Sequence, residues 1–312
     1  MSNTQPLVSV IMPCYHNAQT VERTVRSIQA QTFSDWELIA VDDGSKDDTL
    51  DVLERLAAQE PRMRVIHQEN TGVSGARNAG QAAARGTWLF FVDADDHLLD
   101  HALSHLLNLA DDEKDIICGA YEMHFRDENG RCEKHTCASG DLQTILESLI
   151  RGDSALNSPC ARLYRRAMIC SHDVKMPLGV KVGEDVLYNL DAFSAARSWR
   201  MSDEVIYIYE FGGDSAMTRA KTDKYLSSVP MLEGIGKFVD ANDLHTQLFR
   251  AHIDIYVRTL RADCGRLKAA FALSRKMVAR ITKGVNFSSL PLKQKLYYLA
   301  LRILPLSSYM LP

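Results

Sequence analysis

No stretch of this 312-residue sequence reaches the roughly 18 uninterrupted apolar residues that a membrane-spanning helix needs. The start, Met1 to Pro6, is polar, without the basic and then apolar segments of a secretory leader, so a cytoplasmic protein is expected. Cysteine is sparse: seven residues, an odd count, spread from Cys14 to Cys264. That excludes a disulfide framework and predicts reduced thiols. Cys132 and Cys137 are the one close pair, and no second pair completes a four-ligand zinc site. No glycine fingerprint follows the first apolar run, where the turn reads Pro13-Cys14-Tyr15-His16-Asn17. This excludes a nicotinamide dehydrogenase, and the missing Gly-rich basic phosphate loop argues against a nucleotidyltransferase. Internal repeats and low-complexity tracts are also absent.

What is present is an ordinary globular composition, 46% hydrophobic and 24% charged, at a length that suggests about two domains. The net charge of -4 conceals an asymmetry, because residues 244–312 carry 12 Lys and Arg against 2 acids. A basic tail rich in Leu, Tyr and Phe on an acidic body predicts contact with an anionic membrane surface, not with nucleic acid.

Short strands and helices alternate through the first hundred residues. Leu7 to Met12, closed by Pro13, Trp36 to Val41 and Met63 to Ile66 read as strands; Thr20 to Gln31, Thr49 to Gln59 and Ser74 to Arg85 read as helices. Such alternation predicts an α/β fold with a mainly parallel sheet and right-handed crossovers. Beyond Ala110, Asp115 to Phe125 and Arg131 to Cys137 flank a hairpin signal at Glu128-Asn129-Gly130. Leu142 to Ile150 and Glu184 to Arg197 read as helices, Asn157 to Arg166 as irregular, and Arg200 to Phe211 as a further strand.

The organising stretch is Thr87 to His97. Five apolar residues, Trp88-Leu89-Phe90-Phe91-Val92, predict a buried strand that stops at Asp93-Ala94-Asp95-Asp96. Open α/β sheets bind ligands at the C-terminal ends of their strands, and a second strand also ends in acids, at Asp42-Asp43. An extended backbone would aim Asp93 and Asp95 the same way, close enough to share a hard divalent cation with a ligand's phosphates. The other reading is an acidic turn in which Asp96 caps a helix beginning near Leu98. His97, His101 and His105 fall at helical spacing but lack a fourth ligand, and predict a polar helix face instead of zinc.

Four pieces in order carry a resemblance: Val8 to Tyr15; Val41-Asp42-Asp43-Gly44-Ser45 with Asp47 and Thr49; Asn70 to Gly80; and Val92 to Asp96. Together they resemble the inverting, sugar-nucleotide-dependent glycosyltransferases of family two, with the GT-A fold. Gly183-Glu184-Asp185 is similar to that family's acceptor-side acid, and Tyr209 to Met217 to its late loop. The resemblance implies Mn2+ or Mg2+ held by Asp95. Pro13, Tyr15, Asp43, Arg77, Asp93 and Ala94 would make the nucleotide-sugar site, with Asp43 and Arg77 reading the base. It further implies Asp185 as general base and Glu184 as an acceptor-side residue. On the residues alone, Arg77 reads as a surface charge and Tyr15 as a core aromatic, and the alternative for Asp185 is a helix cap.

His16 replaces the family's frequent Asn, and Gly212 a His that approaches the cation in several relatives. The Gln-x-x-Arg-Trp pattern of processive synthases is absent, which implies one sugar per encounter. The expected division is a sugar-nucleotide half, 1–110, an acceptor half, 111–220, and a helical region, 221–312. In the last of these, a helix from Pro291 to Pro305 would align Leu292, Leu296, Leu299 and Ile303 for a membrane surface. The implied activity is transfer from a UDP-sugar to a glycan acceptor, lipid-linked, in bacterial capsule, O-antigen or exopolysaccharide synthesis at the inner face of the membrane. The competing class is a non-catalytic sugar-nucleotide sensor or scaffold, which would tolerate loss of the acids that are intact here.

Overall fold

Strand β1 (Val8–Cys14) is flanked by β2 (Trp36–Asp42) and β4 (Trp88–Phe91), both parallel to it, and β3 (Met63–His67) adds parallel to β2. Every residue of β1, β2 and β4 is buried, as in parallel sheets covered on both faces. The crossovers are α1 (Val21–Gln29), α2 (Thr49–Ala57) and α3 (Val73–Ala83), each within a few residues of its predicted span. This computed structural model describes residues 5–125, 130–152, 154–212, 230–231, 234–235, 238, 285–292 and 295–296. Most of the basic tail and the late loop from Gly213 to Met217 lie outside the described residues.

Pro13, expected to close β1, sits inside it and pairs with Val41. Pairing of β1 with β4 ends at Ile11 and Phe91, where the Val92 N–H donates to the Ile11 carbonyl at 3.0 Å. Pro13 faces that same side two residues later, after the strands have parted. Its missing N–H therefore leaves no rung unmade. Open α/β sheets bind ligands where neighbouring strands diverge in this way.

The second half of the chain continues the same sheet. After the two-residue β5 (His97–Leu98) and α4 (Ala102–Asn108) come β6 (Ile116–Phe125), β7 (Cys132–His135), α5 (Leu142–Arg151) and α6 (Ser154–Asn157). Then follow β8 (Arg162–Arg165), α7 (Arg166–Ser171), α8 (Glu184–Ala195) and β9 (Trp199–Phe211). The strand order is β3-β2-β1-β4-β8-β6-β9-β5, with β7 beside β6. The sheet is thus parallel through its first four strands and mixed beyond them, because β8 runs antiparallel to both β4 and β6. The expected boundary at 110/111 falls between α4 and β6, with strands of both halves in one sheet.

Two further expectations are corrected. The segment read as irregular contains β8, hidden because its first residue is an arginine; Arg162 is buried and donates to the carbonyls of Ala155, Leu156 and Cys160. His97 is in a strand, not on a helix with His101 and His105. His101 meets Glu204 at 3.1 Å and His105 meets Ser202 at 2.9 Å, so the three imidazoles do not converge. Among the described residues no helix is long and apolar enough to cross a membrane.

Candidate active site

The acid cluster does not continue β4 in extended form, contrary to expectation. The Asp96 N–H donates to the Asp93 carbonyl at 3.1 Å, closing a turn over Ala94 and Asp95. Helix α1 holds this turn from outside: Thr24 Oγ1 donates to the carbonyls of Ala94 and Asp96, at 3.0 and 2.6 Å, and Arg23 donates to that of Asp95. Asp93 and Asp95 remain half-buried, while Asp96 is fully buried. Asp96 does not cap a helix. Its carboxylate accepts from the Tyr207 hydroxyl at 2.5 Å and from the Glu210 N–H at 2.9 Å, tying the turn to β9. Burial, with Asp93 and Asp95 close by, pushes the Asp96 carboxyl well above the usual carboxylate range.

Arg77, on α3, is the hinge of the site. Its side chain is 3% exposed, and one guanidinium donates to Asp185 Oδ1 at 2.6 Å and to Asp93 Oδ1 at 2.7 Å, with Glu184 Oε1 at 4.0 Å. Asp93 lies two residues past β4 in the first half, and Asp185 sits in the first turn of α8 in the second. Gly80, one turn after Arg77, permits this reach: a Cβ there would lie 2.4 Å from Ile11, so α3 packs closely on β1. The next positions of the same helix bind the second half of the chain. Asn78 exchanges two 2.9 Å hydrogen bonds with the Met176 backbone, and Gln81 joins the Val174 carbonyl and the Tyr188 hydroxyl.

Helix α8 is seated as firmly. Its N-cap, Gly183, has φ +84°, a left-handed conformation that glycine adopts without penalty. Asn189 donates to the carbonyls of Leu156, Asn157 and Ser158 and accepts from Tyr164. Below the acids, Phe91, Tyr164 and Tyr188 meet edge to face at 5.5 to 5.9 Å, joining β4, β8 and α8. Phe91 precedes Asp93 by two residues and Tyr188 follows Asp185 by one helical turn. Loss of hydration pushes the Asp185 carboxyl up to about 7; Arg77 opposes that rise, and Glu184 and Asp93 add to it. Burial alone would lower the Arg77 pKa, but the two aspartates outweigh it and keep the guanidinium charged.

The other sequence-derived residues line the β1–β2 side. Pro13 is buried within β1, just before its last residue, Cys14, and Tyr15 is 47% exposed, its ring stacked on His16 at 4.2 Å. Asp43 is buried, and its oxygens accept from Gln68 Nε2, the Thr71 N–H and hydroxyl, and the Gly72 N–H, at 2.7 to 3.2 Å. Asp43 therefore shapes the 68–72 loop that leads into α3. Arg77 stands apart from it, among the acids. Asp42, beside it, is fully buried, with His67 Nδ1 2.8 Å from one oxygen and no partner for the other. Tyr207, Tyr188 and Asn189 were not legible as site residues, since strand and helix patterns mark them only as interior positions.

For a cation, the half-buried carboxylate of Asp95 at the crevice offers hard oxygen, which suits Mg2+ or Mn2+ and not softer ions. Asp93 already gives one oxygen to Arg77. Diphosphate oxygens and water would have to complete the coordination, as is usual for Mg2+.

Comparison with known proteins accords with this geometry. The chain is 33% identical over 224 residues to the uncharacterized glycosyltransferase EpsJ of Bacillus subtilis (strain 168), covering 65% of this chain and 61% of that protein. It thus spans less than two thirds of that relative. Among solved structures, residues 1–349 of S. aureus TarS in complex with UDP-GlcNAc are similar at a TM-score of 0.71 and 21% identity, over 97% of this chain and 91% of that one. The mannosyltransferase PcManGT of Pyrobaculum calidifontis, in complex with GDP-Man and Mn2+, is similar at a TM-score of 0.53 and 16% identity, over 96% and 85%. These two likenesses speak to the fold. The model of glycosyl transferase family 2 matches residues 9–170, just over half of the chain and all of the edge that carries Asp43, Arg77 and Asp93; the chain belongs to that family.

Proposed function

We propose that the chain moves one sugar from a UDP-sugar to a hydroxyl of a bacterial surface glycan, lipid-linked, with inversion at the anomeric carbon. The observation that carries this is the Arg77 bridge, which gathers a strand-end acid and a helix-start acid around one crevice. The acceptor oxygen attacks the anomeric carbon from the face opposite the nucleotide, the bond to the diphosphate breaks, and Asp185 takes the hydroxyl proton. A carboxyl whose pKa lies near 7 is matched to that role, and Arg77 fixes its orientation. Glu184 is positioned for the acceptor, and Pro13, Tyr15, Asp43, Asp93 and Ala94 for the nucleotide sugar, Tyr15 offering an exposed ring for a base. Mn2+ or Mg2+ at Asp95, when bound, would offset charge developing on the departing diphosphate. The UDP-GlcNAc bound by TarS and the Mn2+ bound by PcManGT support these two choices.

Asp185→Asn is expected to lower turnover by about 10²- to 10⁴-fold while leaving UDP-sugar affinity unchanged, since a base acts in the transition state. Asp95→Asn should instead abolish the metal dependence of nucleotide binding. Calorimetry and product anomer analysis by NMR separate these outcomes, and equal loss of nucleotide binding in Asp185→Asn would move that residue into the donor site.

We also place the enzyme at the inner face of the cytoplasmic membrane. Leu292 and Leu296, 75% and 61% exposed in the described part of the tail, give a cationic segment two apolar contacts. The full chain is expected to sediment with anionic vesicles at low salt and to be released at high salt. Identical binding by a version ending at Lys283 would remove the tail from that role.

A further inference from the structure

The β6–β7 hairpin carries a second grouping of ligand atoms, on residues outside the acid cluster. Glu122 and His124 alternate on β6 and so project from the same face of the strand. His124 pairs across the hairpin with Cys132, the first residue of β7, so its side chain shares that face. One ligand atom from each of the three lies within 4.8 Å of the others, and His124 Nε2 is already 2.7 Å from Glu122 Oε1. Such spacing needs only small side-chain rotation to close on an ion whose ligands stand 2.0 to 2.3 Å away, roughly the range for zinc with nitrogen, oxygen and sulfur.

We infer that Glu122, His124 and Cys132 form a binding site for a borderline-soft divalent cation of the zinc type, distinct from the hard-cation position at Asp95. A thiolate with an imidazole selects zinc over Mg2+ or Mn2+, which favour all-oxygen shells. Three protein ligands leave the fourth tetrahedral position to water or another ligand. Proton balance is simple: the thiol, which now donates to the Gly130 carbonyl at 3.5 Å, loses its proton to solvent, while His124 keeps one proton, on Nδ1. The cysteine pair noted in the sequence is not the ligand set. Cys137 is buried and its thiol donates to the Ala155 carbonyl, whereas Cys132 is exposed on the hairpin. The partner of Cys132 is set by strand register and is eight residues upstream, which short-range spacing does not reveal. His124 also pairs with Glu210 of β9, so an ion here would brace the hairpin onto the strand that anchors Asp96.

The test uses the untagged full chain, stripped with chelator and titrated with Zn2+, Mn2+ and Cd2+. One equivalent of Zn2+ should bind by calorimetry, with Mn2+ much weaker at that site, and Cd2+ should produce the ultraviolet thiolate-to-metal charge-transfer band. Cys132→Ser and His124→Ala should each weaken Zn2+ binding by about tenfold or more, and Asp95→Asn should not. Circular dichroism of the metal-free variants verifies folding, and Glu122→Gln supplies a second probe that leaves the thiol in place. Absence of the Cd2+ band, or Zn2+ binding lost in Asp95→Asn and retained in Cys132→Ser, would overturn the site.

Discussion

Asp43 and Asp93 stand at the same edge of the sheet, each just past the end of a parallel strand, yet they are held in opposite ways. Asp43 accepts hydrogen bonds from neutral donors of the nearby 68–72 loop, so its charge organises local backbone. Asp93 is held by a buried guanidinium whose other branch reaches Asp185, 108 residues beyond Arg77 in the chain. One carboxylate builds a wall of the site; the other belongs to a charged relay between its two sides. Equal residue types at equivalent positions thus differ in what their loss would do.

The sharpest way to break this contrast is Arg77→Met. Removing the shared cation leaves two acids facing each other without a counter-charge, and breaking a buried pair in this way costs about 3–5 kcal/mol. Denaturant unfolding measures that loss. Where the variant still folds, turnover should fall about a hundredfold, because the proposed base, displaced by an ångström, would lose that much. Wild-type stability in Arg77→Met would show that the bridge is not maintained in solution.

The relay was only half legible in the sequence. The four ordered motifs located the edge, because buried parallel strands read as apolar runs and the acids interrupt them sharply. They could not say which acid Arg77 meets, since a helix position fixes a face and not a partner. The resemblance suggested base reading for Arg77, while its guanidinium lies among acids that are distant in sequence. Pattern also concealed β8, where a buried arginine satisfied by three carbonyls imitates a surface residue. The aromatic trio of Phe91, Tyr164 and Tyr188 was invisible for a related reason: each member looked like ordinary core, and only the topology brings them beneath the acids.

Asp43→Asn tests the other side of the comparison, with a smaller expected effect. The new amide would turn an N–H toward the Gly72 or Thr71 N–H, leaving at least one half-buried donor unmet at a cost of about 1 kcal/mol. Only the 68–72 loop should loosen. KM for the nucleotide sugar is therefore expected to rise while kcat at saturating donor changes little, which steady-state kinetics resolves. A loss of kcat as large as in Arg77→Met would place both carboxylates in one functional unit.

The smallest effects, and the most specific, concern pH. As the proposed base, Asp185 must be ionised to accept a proton, and its carboxyl is pushed up to about 7, far above the usual carboxylate range. kcat/KM is therefore expected to rise with pH through about 7 and to level off above it. Two neighbours should move that limb in opposite directions. The guanidinium of Arg77 stabilises the ionised form, so any folded Arg77→Met protein should show its limb at higher pH. The Glu184 carboxylate, in contrast, disfavours a second negative charge beside it. Glu184→Gln removes that repulsion without changing shape, so its limb should appear at lower pH. Asp43→Asn, remote from this pair, should leave the limb in place. Initial rates across the pH range, at donor and metal concentrations held well above saturation and again well below, separate the group on the free enzyme from the one in the complex. A limb that ignores both Glu184→Gln and Arg77→Met would assign the titrating group to some residue other than Asp185.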